Sequence, residues 1–250
     1  MFEAFHHPVI FAHRGASAQA PENTLASFEL ACSQGADVIE LDAQLSADGE
    51  VVVIHDPTVD RTTNGHGRVA QLPSTALRAL DAGSFFSEKF RGQKIPLLQE
   101  VFEAVGQQVY FNVELKDPAG RHGLLAEKVC ALVKEHDMEE RIIFSSLLVS
   151  NLKRVKRLVP EAPRGLLAPR GWRGAWARSF GFNFGDYAAL HPYLTDVTKQ
   201  QIVRVHRLKR RVHVWTVNKA EDMVRLKNWG ADGIFTDDPQ VALRTLGRAS

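Results

Sequence analysis

The stretch Val38-Ile39-Glu40-Leu41-Asp42-Ala43 sets two acids two residues apart among apolar neighbours. Side chains two apart on a strand share a face. Glu40 and Asp42 therefore point to one side, and Ile39 and Leu41 to the other. The pattern returns in Phe111-Asn112-Val113-Glu114-Leu115-Lys116, where Asn112, Glu114 and Lys116 lie opposite Phe111, Val113 and Leu115. A solvated edge strand fits poorly, because the flanking residues are apolar and the motif occurs twice. Carboxylates side by side in a barrel interior repel unless protons or a cation offset them. A hard divalent ion resolves that conflict, with Glu40, Asp42 and Glu114 as candidate ligands. Ligation by oxygen alone suits one Mg²⁺, Ca²⁺ or Mn²⁺ better than Zn²⁺.

Working outward, further β-branched or aromatic runs stand at Val9–Ala12, Val51–His55, Ile142–Ser145, Gly165–Ala168, Tyr187–Leu190, Val212–Val217 and Gly233–Thr236. Amphipathic stretches lie between them, clearest at Thr24–Gln34, Gly123–His136, Ser150–Val159, Lys199–Arg210 and Ala220–Trp229. Strands alternating with helices imply an α/β fold with a parallel sheet. The run Val51–His55 follows the turn signal Asp48-Gly49, which makes it the return arm of a hairpin with Val38–Leu45. Without it the strands number eight, the count that closes a (β/α)8 barrel. Asn23-Thr24 and Asn218 are candidate helix caps. The connection 57–96 is too long for an ordinary barrel loop and is read as functional or as an inserted subdomain.

A chain of 250 residues matches one such barrel, so 1–250 is read as a single domain. With 31 basic and 29 acidic residues spread along it, no global field argues for nucleic acid, and anion binding must be local. Cys32 and Cys130 lack a CxxC or His-rich setting and are read as buried free thiols. Met1–Pro8 lacks the basic start, apolar run and cleavage site of a secretory signal. No apolar run reaches the ~20 residues of a membrane span. The expectation is a soluble, cytoplasmic monomer or small homo-oligomer.

Barrel active sites lie at the C-terminal ends of strands. Ala12-His13-Arg14-Gly15 ends the first strand and Ile54-His55-Asp56-Pro57 ends the hairpin arm, so His13 and His55 should share a mouth with the acids. Two imidazoles can divide the proton transfers of phosphodiester hydrolysis. Arg14 offers a planar fork and Lys116 a point charge for phosphate oxygens, while Gly15 should let the backbone approach a ligand. His6, His7, His66, His122, His136, His206 and His213 are read as core or surface residues.

The run His13-Arg14-Gly15 through Pro21-Glu22-Asn23-Thr24, then Glu40-Leu41-Asp42 and His55-Asp56, resembles the signature of glycerophosphodiester phosphodiesterases. The likeness continues through Asp60-Arg61-Thr62-Thr63-Asn64-Gly65, Ile95-Pro96, Asn112–Lys116, Val214–Asn218 and Gly233–Pro239. It implies a TIM barrel with an insertion after the second strand, at about 57–96. It also implies a divalent cation on Glu40, Asp42 and Glu114, acid/base roles for His13 and His55, and phosphate contacts from Arg14 and Lys116. Glu22 and Asn23 match the motif and would brace Arg14 or the metal ligands, the bland alternative being a solvated acid beside a helix cap.

The implied reaction is metal-dependent hydrolysis of small glycerophosphodiesters to sn-glycerol 3-phosphate and an alcohol. A lipid-cleaving barrel and an inert phosphate-binding barrel are the rivals. Where many members of this family carry Ser-Phe after the fourth strand, this chain reads Ser145-Ser146-Leu147. Trp215, alternating inward with His213 and Val217, is a candidate replacement wall for the substrate or else a core tryptophan. The segment 169–178 mixes arginine with tryptophan at the same mouth, as a substrate guide or an exposed helix face. Lys199–Arg211 is read as an exterior amphipathic helix, and His191, closing the sixth strand, as a core or substrate contact.

Overall fold

The computed structural model describes residues 5–120 and 123–248, so Met1–Ala4 and His122 lie outside the described residues. The elements run β1 (Val9–His13), α1 (Leu25–Ser33), β2 (Val38–Leu45), β3 (Val51–Val53), α2 (Ser74–Ala79), α3 (Leu98–Val105), β4 (Tyr110–Leu115) and α4 (Leu124–Glu135). They continue through β5 (Ile142–Ser146), α5 (Val149–Leu158), β6 (Arg164–Ala168), α6 (Phe182–Phe184), β7 (Ala189–Pro192), α7 (Lys199–Arg207), β8 (Arg211–Val214), α8 (Ala220–Trp229), β9 (Gly233–Thr236) and α9 (Pro239–Thr245).

The strand order is β1-β9-β8-β7-β6-β5-β4-β2-β3, and β1 also pairs with β2. That pairing closes a parallel barrel and leaves β3 as an antiparallel arm on β2, with Ala43 opposite Val53. The chain is a TIM barrel. Parity sorts each strand as its sequence demands. Ile39, Leu41, Ala43, Phe111, Val113 and Leu115 face outward into one apolar cluster with the helices, whereas Val9, Phe11, Val38 and Ile143 belong to the inner floor. Burying one such aliphatic or aromatic side chain contributes ~1.5–3 kcal/mol, which fixes the register and with it the inward aim of the acids. Val52 of β3 and residues beyond it form a separate small core with Ile54, Val59, Val69, Leu77 and Ile95.

Several boundaries differ from expectation. The arm β3 stops at Val53, and the loop beyond it is held by Gln44 Nε2, which reaches the carbonyls of Ile54, His55 and Asp56 at 2.8, 3.0 and 2.8 Å. Tyr187 is not in the sixth barrel strand, which starts at Ala189; its ring instead stacks on Phe182. The next strand ends at Val214, so alternation does not extend to Val217, which faces the outer cluster with Val212 and Val214.

Thr24 alone caps α1, in a capping box with Ser27. Asn218 caps no helix; its side chain donates to Asp237 Oδ2 at 2.6 Å and accepts from Thr236 Oγ1 at 3.1 Å. Both cysteines are free, and burial pushes their thiols up, Cys32 to about 11 and Cys130 to about 12.

Candidate active site

Register brings the acids together. On the paired strands β2 and β4, Glu40 stands beside Asn112 and Asp42 beside Glu114. One carboxylate oxygen from each of Glu40, Asp42 and Glu114 lies within 4.8 Å of the others. Glu40 and Asp42 are almost fully buried, at 3% and 1% exposure. Burial, then the charges of Asp42 and Glu114, push the Glu40 carboxyl well above the usual range. Glu114 is raised too, by burial first, against the opposing pull of Lys116. Burial also opposes ionisation of Asp42, but Lys116, Arg14, His55 and Asn23 overbalance it and hold that carboxyl low.

The cluster suits a divalent cation. Its donors are all oxygen, two of the three resist ionising beside one another, and the buried Asp42 Oδ1 accepts no hydrogen bond. Lys116 Nζ lies 3.4 Å from that oxygen and 3.1 Å from Glu114 Oε1. Burial would discharge this ammonium, but Asp42 and Glu114 raise its pKa above the ordinary value.

Arg14 adopts a left-handed backbone at φ 58°, and its own N–H donates to Glu40 Oε2 at 3.0 Å. Its guanidinium donates to Glu22 Oε1 at 2.8 Å and approaches Asp42 Oδ2 at 3.4 Å. Asn23, also left-handed, donates from Nδ2 to Asp42 Oδ2 at 2.8 Å. Glu22 and Asn23 thus brace Arg14 and the acid cluster, not the helix end. Gly15, expected to make room for a ligand, serves packing: at φ +84° a Cβ there would stand 2.7 Å from the Ser27 carbonyl carbon on α1.

Each histidine leans on an aspartate. His13 Nδ1 lies 2.6 Å from Asp237 Oδ1, and His55 Nδ1 lies 2.6 Å from Asp56 Oδ1. A carboxylate only accepts, so in both pairs Nδ1 carries the hydrogen and Nε2 does not. Burial would raise Asp237, but hydrogen bonds from His13, Asn218 and Ser17 hold it below its ordinary value. The hydrogen bond from Arg61, reinforced by His55, holds Asp56 at about 2. Arg61, from the insertion, donates to both Asp56 and Glu22, at 2.6 and 2.7 Å, and so ties the His55 loop to the Arg14 brace.

Asp237, Asp56 and Arg61 were not singled out from sequence. All three do stand inside the quoted motifs, Asp237 just past the last barrel strand.

A cavity of about 290 Å³ opens over this group, lined by His13, Arg14, Glu40, His55, Glu114 and Lys116, with Leu147, Trp215 and Phe235 as apolar walls. Leu147 supplies an aliphatic wall where Ser-Phe in place of Ser146-Leu147 would supply an aromatic one. Trp215 is a wall and not a core residue, fixed by its Nε1 donating to the His191 carbonyl at 2.7 Å. His191 does not line the cavity; it is fully buried, packed over Gly165, 3.1 Å from His213 Nδ1. His213 is likewise core. His66 and His206 are surface residues beside Asp60 and Asp232.

A TIM barrel carrying acids, paired histidines and cations in one cavity at its mouth is the setting of a phosphoric diester hydrolase, and the chain is one. Residues 13–241 match the model of the glycerophosphoryl diester phosphodiesterase family, and the chain belongs to that family. It is 40% identical over 239 residues to a glycerophosphodiester phosphodiesterase of Caldanaerobacter subterraneus subsp. tengcongensis, covering 95% of this chain and 97% of that one.

Among solved structures, an Oleispira antarctica phosphodiesterase in complex with its product sn-glycerol-3-phosphate superposes with a TM-score of 0.86 at 33% identity, covering 96% and 97% of the two chains. A glycerophosphodiester phosphodiesterase from Agrobacterium tumefaciens superposes with a TM-score of 0.81 at 30% identity, covering 94% and 98%.

Proposed function

We propose that this chain hydrolyses glycerophosphodiesters to sn-glycerol 3-phosphate and an alcohol in glycerophospholipid metabolism, with a divalent cation as cofactor. The observation that carries this reading is the convergence of two histidine–aspartate pairs on a cavity that also holds three close carboxylates. Glu40, Asp42 and Glu114 would hold the cation, Mg²⁺, Ca²⁺ or Mn²⁺. When bound it supplies positive charge for the phosphate oxygens as the transition state forms.

The chain's own groups account for the rest. Arg14 and Lys116 bind and orient the phosphate. One histidine accepts at Nε2 the proton of the attacking oxygen as that oxygen bonds to phosphorus. The bond to the departing alcohol oxygen breaks, and the other histidine gives that oxygen a proton. Asp237 and Asp56 hold the rings in the required tautomer, as oriented carboxylates do in other acid/base sites. Trp215 and Leu147 shelter the organic part of the substrate. The attacker is water, or the substrate's own glycerol hydroxyl followed by water, and phosphorus NMR distinguishes the two by presence of a cyclic phosphate.

Residues 1–250 act in this reading as one catalytic domain, with 57–96 inserted so that Arg61 reaches Asp56 and Glu22. The apolar walls continue past Leu147 into an adjoining space of about 340 Å³ lined by Pro118 and Leu148, so the assay on a soluble diester and a lipid diester separates the two substrate classes. A cytoplasmic setting is supported by two unbridged thiols.

The test is release of sn-glycerol 3-phosphate from glycerophosphocholine, with lysophosphatidylcholine in parallel. His13→Ala and His55→Ala should each lower kcat at least ~10²-fold with the fold intact. Near-wild-type turnover in either variant would remove that histidine from the mechanism, and preferential cleavage of lysophosphatidylcholine would replace the proposed substrate class.

A further inference from the structure

Beyond β6 the chain is helical over residues 171–184, and Trp172, Trp176, Phe180 and Phe184 follow one another at four-residue intervals. Trp176, Phe180 and Phe184 lie four apart on the π and α turns and so share one side, while Trp172 stands on the 3₁₀ turn before them. All four are exposed, at 83%, 56%, 67% and 78%, a concentration of aromatic surface that a monomer rarely leaves to water without use. Phe180 and Phe184 pack ring to ring at 4.7 Å, so the stripe is continuous at that end.

Its surroundings are mainly basic, although Arg178 is paired with Asp196. Residues 169–184 include Arg170, Arg173 and Arg178 and no acid, and α7 alongside contributes exposed Lys199, Arg204 and Arg207, again with no acid. The two elements touch where Arg204 donates to the Arg178 carbonyl, and past the end of α7 Arg210 donates to the Phe182 carbonyl at 2.5 Å with its guanidinium over the Phe182 ring. Nearby Asp196 and Asp186 are taken up by Arg178, Lys156 and Arg164. A helix with aromatics on one face and arginines around them is the pattern of an element that lies in a membrane interface.

The patch also has a definite place relative to the cavity. Arg170 lies over the Tyr193 ring, and Tyr193 meets the cavity wall Trp215 edge to face at 5.2 Å.

We infer that residues 171–184 form a peripheral docking surface that sets the barrel mouth against an anionic phospholipid bilayer. Aromatic rings enter the headgroup region while Arg170, Arg173 and α7 meet lipid phosphates. A second copy of the chain fits less well, because a two-fold interface would set this basic rim against itself. This docking is independent of which diester the cavity cleaves.

The test is cosedimentation of the full chain with vesicles of phosphatidylcholine alone or with roughly one third phosphatidylglycerol. Binding should require the anionic lipid and weaken as salt rises. Trp172→Ala/Phe184→Ala and, separately, Arg173→Glu/Arg207→Glu should each weaken it about tenfold or more, without changing turnover of a soluble diester. Absence of binding to anionic vesicles, equal binding to both compositions, or unaltered binding by both variants overturns the inference. So does sedimentation velocity showing a wild-type dimer that the aromatic variant splits, in protein that ignores vesicles.

Discussion

His13 and Asp237 are 224 residues apart in sequence and 2.6 Å apart in space, because parallel pairing of β1 with β9 stands their C-terminal ends together. A carboxylate so placed fixes which ring nitrogen faces the cavity. Asp237→Asn keeps the shape but offers an amide that can turn a donor toward Nδ1, so kcat should fall ~10²-fold or more with KM little changed. Steady-state kinetics on a soluble diester checks this. A fall in KM affinity alone would make Asp237 a binding residue instead.

The acid cluster predicts a trade between stability and metal binding. Burial and the neighbouring carboxylates raise Glu40 above its unfolded pKa, so its ionisation costs stability as pH rises from the ordinary carboxylate range. At neutral pH the metal-free Glu40→Gln protein should therefore melt at or above the wild-type temperature. A divalent cation that binds only the folded state raises the melting temperature of wild type, and Glu40→Gln should lose most of that rise. Melting scans with and without Mg²⁺, Ca²⁺ and Mn²⁺ measure both; a variant that keeps the full rise would take Glu40 out of the ligand set.

Arg61 reaches out of the insertion to Glu22 and Asp56 and so positions both the Arg14 brace and the His55 loop. Arg61→Ala should lower kcat roughly tenfold, and Arg61→Lys, which keeps the charge but not the fork, should recover only part of it. Equal activity of the lysine and wild-type proteins would show that charge alone suffices there.

The floor of the barrel predicts acid sensitivity. His191 and His213 are fully buried, and burial lowers His191 to about 3 and His213 well below its ordinary value. Both depressed pKa values favour folding above the unfolded pKa near 6.5, and that contribution is lost as pH falls from there toward the folded values. Between pH 6.5 and 5 the neutral His191 should cost the folded state ~2 kcal/mol, His213 adding in the same sense and protonation of the raised Glu40 and Glu114 acting against both. Urea unfolding across that window should show the loss, and His191→Leu should flatten it. An unchanged slope would place the acid sensitivity elsewhere.

Much of this site was legible because parity is a strict rule. Spacing alone placed Glu40, Asp42, Glu114 and Lys116 on inner faces, and strand ends placed His13 and His55 at the mouth. What escaped is what parity does not govern. Asp237 meets His13 through the pairing of β1 with β9, and Arg61 reaches Glu22 through the folded insertion, so neither partner is local. Gly15 shows the converse: a glycine in a motif reads as room for a ligand until α1 is seen to need the space. His191 sits one residue from a strand end yet lies in the floor, because β7 starts later than Tyr187 suggested.

The central claim is cation-assisted cleavage of a glycerophosphodiester, and the most direct test is one assay on metal-stripped protein. Release of sn-glycerol 3-phosphate from glycerophosphocholine should cease after exhaustive chelation and return on adding Mg²⁺, Ca²⁺ or Mn²⁺, with Asp42→Asn inactive under every condition. Full release by the demetallated protein would contradict the account.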